Sequence, residues 1–535
     1  MQSVRNTLWD STLDDRYDDI TEAHKKTFGW IYQEPQSWSN FDDFLRNGEG
    51  AYWINGKPGS GKSTLLKFLY RDRRTQKALE AWCKPTKTMK SSKKKNAIAT
   101  DRIEVITAAF FFWNSGARRQ MTEESMLRSL LFRAMRKKEE LIPIVLEEYL
   151  TQGVYRSIKS TGGFRWSLNQ LRRTFIKLLE QKTLNIKLLF IIDGLDGYEG
   201  DLGKLTKWLL GLTSPTVKLV LSSRPWNVFR DAFKDMPQLR LQDLTYPDIT
   251  AYVEDHLAEN DQMKHLAEND PEPAQALTTE IVSKASGVFL WVKIVVGSLL
   301  DGLRNHDRIS DLQSRLNLLP DDLDALYTHI LSQPDAIYRI RRSQYLLMRQ
   351  AYDAPPLTLA FSLSDEDDPE LCLKSKIIHM TKGQALGRCE DLERRLQASC
   401  AGLLEVDYRQ KTEISKWEQK MPLCNHDYYK TAFGSRIQFM HRTVKDFFDD
   451  KDRISDICSV VEGTGWDPHV ALLRGWILRL KLLPIHFMGM SMDVSGNGSV
   501  EEIVKEALQF AQIAEKNTGI AQEVLLKELE TTVAN

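Results

Sequence analysis

Short apolar runs at Ala51 to Ile54, Val105 to Trp113, Ile186 to Asp193 and Val217 to Ser222 alternate with stretches of helical periodicity. That alternation predicts a mostly parallel sheet with helices on both faces, the α/β class. The run Leu188-Leu189-Phe190-Ile191-Ile192-Asp193 is continuously apolar and closes on a carboxylate. Such a pattern suits a strand buried on both faces, with its acid at the C-terminal edge, where ligands sit in open α/β sheets. Ahead of the first run, Tyr17, Ile20, His24, Phe28 and Ile31 fall three or four apart. Their spacing predicts an amphipathic lead-in helix docked on the chain downstream of it. After Thr245 the strand pattern fades, and helical periodicity continues through Ile249, Tyr252, Val253 and Ile281 and then from Phe289 to Leu303, which places a boundary near Tyr246-Pro247. Gly287 to Leu300 is the most apolar segment, but Lys293 interrupts it and it is too short to span a bilayer, so it reads as a buried core helix.

Between the first two strand runs, Lys84 to Lys95 is a basic, patternless stretch that predicts a solvated loop over a nuclear signal or a nucleic-acid patch. The acidic tract Asp365-Glu366-Asp367-Asp368-Pro369-Glu370 predicts a surface loop, because adjacent like charges repel and proline interrupts a helix.

Phosphate chemistry enters at Gly56-Lys57-Pro58-Gly59-Ser60-Gly61-Lys62-Ser63, which fits G-x-x-x-x-G-K-[ST] between the first apolar run and the helical Thr64-Leu65-Leu66-Lys67-Phe68-Leu69. Glycines let successive backbone N–H groups converge on one concavity, Lys62 reaches the outer phosphates, and the Ser63 hydroxyl is placed to ligate Mg²⁺. A glycine-rich surface turn with a solvated lysine is the competing reading, and the strand-then-helix context weighs against it. Asp193 is then the expected Mg²⁺ anchor. Asp196 supplies a second carboxylate that either holds the attacking water or caps the turn. Arg224, closing the strand run Val217 to Ser223, is placed to sense a γ-phosphate.

The whole-chain numbers narrow the partners. Over 535 residues, Lys plus Arg and Asp plus Glu each total 73, so no general attraction to nucleic acid or to an anionic membrane follows. A chain this long exceeds one core and predicts three or four domains. The six cysteines (Cys83, Cys372, Cys389, Cys400, Cys424 and Cys458) show no zinc spacing and fit a reduced cytoplasmic compartment. The N-terminus lacks an apolar stretch of signal-peptide length. No Ser-His-Asp or Cys-His grouping points to a second activity.

In their order along the chain, these residues resemble the NACHT-type signal-transduction NTPases of the NLR-like proteins of filamentous fungi, with a nephrocystin-like N-terminal domain. The resemblance rests on Ala23 to Ile31, Tyr52 to Asn55, Phe111 to Gly116, Asp193-Gly194-Leu195-Asp196, Ser222 to Trp226, Leu244 to Ile249, Gly287 to Val292 and Met440 to Phe448. It implies a lead-in at 1–50, a P-loop NTPase domain at 51–245, a helical domain at 246–320, a winged-helix-like domain at 321–450 and a C-terminal helical region at 451–535. It also implies an adenine nucleotide, ATP or ADP with Mg²⁺, held by Gly56, Pro58, Gly59, Ser60, Gly61, Lys62, Ser63 and Thr64. Ser63 and Asp193 would serve the metal, and Asp193, Asp196 and Arg224 the chemistry. Gly287 to Leu290 would lie near the base, and His441 would match the winged-helix histidine that touches the ADP β-phosphate. The implied behaviour is a switch, closed with ADP and opened by ATP for self-association or for an effector protein partner.

One departure from the family pattern bears on turnover. Gly197 stands where a glutamate is expected after Asp-Gly-Leu-Asp, which predicts retained binding with slow hydrolysis unless Asp196 or Glu199 takes that role. A partner-remodelling ATPase and a scaffold with a vestigial site are the alternatives; Gly197 counts against the first, and intact Lys62, Ser63 and Asp193 against the second. An effector domain and a recognition array are expected to be absent from this chain, with the output delivered by a separate partner or the chain a shortened family member.

Overall fold

The structure, a computed structural model, describes residues 5–9, 15–25, 27–35, 37–84, 103–113, 121–150, 166–332, 336–378, 380–407, 435–482 and 500–534. The basic run from residue 85 on, Lys26, the Asn114-Ser115-Gly116 part of the resemblance and Cys424 lie outside these residues. The chain divides into two compact units, the first running to Leu323 and the second from Asp324 onward.

The first unit is built on a parallel sheet of β1 (Ala51–Asn55), β2 (Glu104–Phe111), β3 (Ile186–Asp193), β4 (Val217–Ser223) and β5 (Gln238–Arg240), in the order β2-β3-β4-β1-β5. Side chains alternate between its faces. Trp53, Ile106, Ala108, Phe110, Leu188, Phe190, Leu219 and Leu221 join the helices Glu123–Lys137, Leu168–Glu180 and Leu202–Gly211 in one core. Tyr52, Ile54, Ala109, Phe111, Leu189, Ile191 and Val220 join the helices Lys62–Arg71 and Arg73–Trp82 in the other. Both faces are covered, which is why the strands read as unbroken apolar runs. The helices Tyr246–Ala258, Asp261–Asn269, Pro271–Ala285, Phe289–Arg304 and Ile309–Leu318 complete the unit. The helix Phe289–Arg304 buries Leu290, Trp291, Val292, Val295, Val296, Leu299 and Leu303, as its apolar sequence predicts. Among the described residues, no helix is long and apolar enough to cross a membrane.

The lead-in departs from the single helix that its spacing predicts. It forms a short helix, Asp15–Asp19, and a 3₁₀ turn, Gly29–Tyr32, with irregular chain between them. Tertiary bonds override the local pattern: the Phe28 N–H donates to both oxygens of the Asp248 carboxylate at 3.2 Å, and the Trp30 indole donates to it at 2.9 Å. Phe28 sits in the left-handed region with φ 62°, which a continuing helix does not allow. Ile20, Phe28 and Ile31 are nevertheless buried, so the apolar spacing records docking and not a helical face.

The second unit is helical, with a two-stranded antiparallel ribbon of β6 (Leu404–Asp407) and β7 (Arg436–Phe439). Its longer helices are Arg339–Gln350, Lys382–Cys400, Pro468–Leu482, Val500–Thr518 and Glu523–Ala534. The acidic tract is only partly the surface loop its charges predict. Residues 367–370 are exposed, but the Asp365 side chain is buried between Arg341 at 2.8 Å and Arg395 at 3.0 Å and accepts from the Tyr345 hydroxyl at 2.8 Å. A carboxylate can be taken from water when cations and donors compensate it this fully.

Candidate functional site

The phosphate loop joins β1 to the helix Lys62–Arg71, and its turns need left-handed backbone at Gly59 (φ 71°) and Gly61 (φ 95°). Glycine adopts that region without a side-chain penalty. A Cβ at Gly59 would also crowd Leu290 at 3.0 Å and Val288 at 3.2 Å. The Leu290 N–H donates to the Gly59 carbonyl at 3.0 Å, so the start of the helix Phe289–Arg304 buttresses the loop from one side. From another side, the Lys57 N–H donates to Gln242 Oε1 at 3.2 Å. Gly287, in the left-handed region at φ 78°, lies where a Cβ would overlap the Gln242 backbone.

Within the loop, the Lys62 ammonium donates to the Gly56 carbonyl at 2.8 Å and the Lys57 carbonyl at 2.9 Å, which curls the chain around it. Pro58 and Thr64 are half-buried, and Ser60 is buried. The Ser60 hydroxyl has no hydrogen-bond partner. A buried hydroxyl without a partner carries a free-energy cost that an oxygen-rich ligand in the loop would relieve.

Sheet register brings the acids to the same place. The Ser63 hydroxyl donates to Asp193 Oδ2 at 2.6 Å, the Ser222 hydroxyl donates to Asp193 Oδ1, and the Gly194 N–H donates to Ser222 Oγ at 2.9 Å. Asp193 is 1% exposed, so these donors replace its water shell. A hydroxyl in contact with a buried carboxylate at the C-terminal edge of a sheet is a donor set of hard oxygens, which suits Mg²⁺. Farther along β4, Ser223 pairs with Asn55, the residue before Gly56, so Arg224 emerges level with the start of the loop. Its guanidinium meets Asp196 at 3.1 Å, and its backbone N–H donates to Asp196 Oδ1 at 3.0 Å. Gly197 closes the 3₁₀ turn Leu195–Gly197, and Glu199 is exposed.

The first unit therefore brings together Gly56, Pro58, Gly59, Ser60, Gly61, Lys62, Ser63, Thr64, Asp193, Asp196 and Arg224. His441 belongs to the second unit, where its ring Nδ1 accepts from the Thr443 N–H at 3.1 Å and caps the helix Arg442–Phe448. Two contributors escape a reading of the sequence alone. Ser222 is visible there as a polar strand end, though its bond to Asp193 is not. Gln242 carries no motif at all.

Comparison with known proteins shows what parts of this chain are similar to. Residues 26–224 match the family model described as Nephrocystin 3, N-terminal, and residues 333–487 match one described as a domain of unknown function, DUF7791. Over 320 residues the chain is 26% identical to vegetative incompatibility protein HET-E-1 of Podospora anserina, an alignment covering 58% of this chain and 20% of that protein. The chain thus spans about a fifth of the length of the curated relative it matches. Among solved structures, Cdc6p from Pyrobaculum aerophilum is similar at 10% identity, with 84% of this chain and 98% of that one covered and a TM-score of 0.29. The Drosophila ORC bound to DNA is similar at 13% identity, with 78% and 93% covered and a TM-score of 0.30.

Proposed function

Because the chain carries a NACHT-type P-loop NTPase domain, we propose that it is an adenine-nucleotide-dependent signalling switch of the NLR-like type. In this reading ADP holds the closed form, and exchange for ATP permits self-association or engagement of an effector protein. Lys62 and the loop amides would hold the phosphates, while Ser63 and Asp193 would hold Mg²⁺. His441 enters by the resemblance alone. A cytoplasmic location and slow hydrolysis belong to the same proposal. The observation that carries it is the Ser63–Asp193 bond of 2.6 Å, which joins the phosphate loop to the acid strand. The similarity to a vegetative incompatibility protein supports a signalling role over a metabolic one.

Slow turnover has its own support. Gly197 offers no side chain to polarise water, and both oxygens of Asp196 are engaged by Arg224. A switch does not need turnover, since it requires only unequal affinity for two conformations. The competing reading, an ATPase that remodels a partner, requires Asp196 as a base.

The test is a thermal shift with ADP and ATP on wild type and Lys62→Ala. A nucleotide at about 100 times its Kd adds roughly 2.7 kcal/mol, or several degrees for the unit that binds it. The expected result is a shift in wild type that Lys62→Ala loses, with size-exclusion showing larger species in ATP than in ADP. Absence of any shift in wild type would overturn the proposal, and a brisk ATPase rate would favour the remodelling reading.

A further inference from the structure

Arg224 and Asp196 form an ion pair that the phosphate loop, the Mg²⁺ anchor and the sheet itself leave unexplained. The Asp196 side chain is 2% exposed and that of Arg224 is 18% exposed. Arg224 Nε lies 3.1 Å from Asp196 Oδ2, and the Arg224 N–H donates to Asp196 Oδ1 at 3.0 Å. Asp196 follows β3 within one 3₁₀ turn of Asp193, and Arg224 follows β4 directly. Since β4 lies between β3 and β1 in the sheet, the pair bridges two strand ends on the edge from which the phosphate loop rises.

Each partner has a competing use at that edge. A guanidinium there is suited to the terminal phosphate of a triphosphate, which a diphosphate lacks. A carboxylate already holding the guanidinium and a backbone N–H occupies the same donors that the phosphate needs. We infer that Asp196 is a specificity-determining latch: it ties Arg224 down, so that a triphosphate binds only by drawing the guanidinium away, while a diphosphate binds without that cost. The inference rests on the nucleotide-binding reading above and deepens it. Asp196 then sets the balance between ADP and ATP instead of serving as the base for hydrolysis. With the guanidinium drawn to phosphate, Asp196 keeps the Arg224 N–H but loses its counter-charge while 2% exposed, and that loss is the cost a triphosphate has to meet.

The latch predicts a coupling of the kind seen between linked sites, commonly between about 5-fold and 150-fold. Asp196→Asn removes the charge yet keeps an oxygen for the Arg224 N–H, and Arg224→Gln removes the guanidinium without leaving a methyl-sized void. Dissociation constants would be measured on the full chain for ADP and for the β,γ-imido analogue of ATP, with Mg²⁺, in wild type, both single variants and the double variant. The expected result is that Asp196→Asn shifts the preference toward the triphosphate analogue by about tenfold. Arg224→Gln should shift it the other way, and adding Asp196→Asn to Arg224→Gln should change nothing further. An unchanged preference in Asp196→Asn overturns the latch, as does a shift that persists without Arg224. Wild type that binds neither nucleotide overturns the nucleotide reading and the latch together, whereas binding with an unmoved preference removes the latch alone. Should Asp196→Asn fail to fold, judged by circular dichroism, Asp196→Ser carries the same comparison.

Discussion

At their N-terminal ends β3 and β4 carry Lys187 and Lys218, and at their C-terminal ends the same strands carry Asp193 and Ser222. Both ends bury polar groups, but the partners differ in kind. The Lys218 ammonium donates to the Phe44 and Leu45 carbonyls, each at 2.7 Å, and Lys187 donates to the Trp82 carbonyl at 2.9 Å. These carbonyls lie in the last turns of the helices Phe41–Arg46 and Arg73–Trp82, where cations are favoured; the Phe44 carbonyl also accepts from the Gly48 N–H at 3.1 Å. The Trp82 ring lies 4.5 Å from the Lys187 ammonium and 4.2 Å from that of Lys218. At the other end, Asp193 is held by the side-chain hydroxyls of Ser63 and Ser222, which a metal ion can share or displace. Partners drawn from the backbone mark a structural end, and partners drawn from rotatable hydroxyls mark a functional one.

Lys218→Ala breaks the comparison most severely. It removes a buried stem and the donor to the Leu45 carbonyl, while the Phe44 carbonyl keeps the Gly48 N–H, at a cost of about 3 to 5 kcal/mol. Chemical denaturation of the first unit's transition should show that loss, and the variant that still folds should bind nucleotide with unchanged Kd. A binding defect larger than the stability defect explains would erase the distinction between the two ends.

Asp193→Asn probes the opposite end. An amide keeps the shape but loses the negative charge that a divalent cation needs, so Mg²⁺-dependent nucleotide affinity should fall about 10-fold to 100-fold, the range for disturbed metal surroundings. The Mg²⁺-free affinity should move far less, and titration calorimetry with and without EDTA reads both. Stability should change by less than in Lys218→Ala, because Ser63 and Ser222 can reorient toward the amide.

How much of this can be read from the sequence differs between the ends in the same way. The phosphate loop, the run ending at Asp193 and the polar close of β4 at Ser222-Ser223-Arg224 are all local patterns, and each falls in the sheet where its pattern predicts. The lysine end is illegible, because Lys218 in Val217-Lys218-Leu219 looks like the solvated side of a strand until Phe44 and Leu45, remote in sequence, bring their carbonyls to it. Strand β5 escapes as well, since Gln238–Arg240 is too short to show a period. The lead-in misleads because Asp248, on a helix far downstream, decides the backbone at Phe28. Local periodicity thus carries the site better than it carries the contacts that support the site.

The lysine end also gives the first unit a pH signature. Burial, with Lys187 nearby, pushes the Lys218 ammonium down to about 7 from its usual 10.5. Between those values the unfolded chain binds a proton that the folded chain does not, so stability should rise as pH increases from about 7 toward 10. The slope cannot exceed about 1.4 kcal/mol per pH unit for one group. Half-buried Tyr32 and buried Tyr52, whose phenols burial pushes up, reverse the trend above that window, because the folded state then holds protons the unfolded chain releases. Lys218→Met should flatten the rise while leaving the alkaline fall. A rise that survives in Lys218→Met would assign it elsewhere.

His441 asks the same question of the second unit, with the smallest expected effect. Its ring nitrogen caps the helix Arg442–Phe448 through the Thr443 N–H, and the Thr443 hydroxyl in turn meets the Tyr327 hydroxyl at 2.6 Å. That is a structural use, like that of Lys218, whereas the resemblance assigns the residue to the nucleotide, like Asp193. His441→Ala removes both, and loss of the cap alone costs about 1 kcal/mol. Asparagine is a strong N-cap, so His441→Asn should return stability to within a few tenths of a kcal/mol of wild type. If the nucleotide role holds, His441→Asn should still release ADP faster than wild type in a fluorescent-ADP chase. Release at the wild-type rate from a fully stable His441→Asn would leave the histidine a cap and confine the nucleotide grip to the first unit.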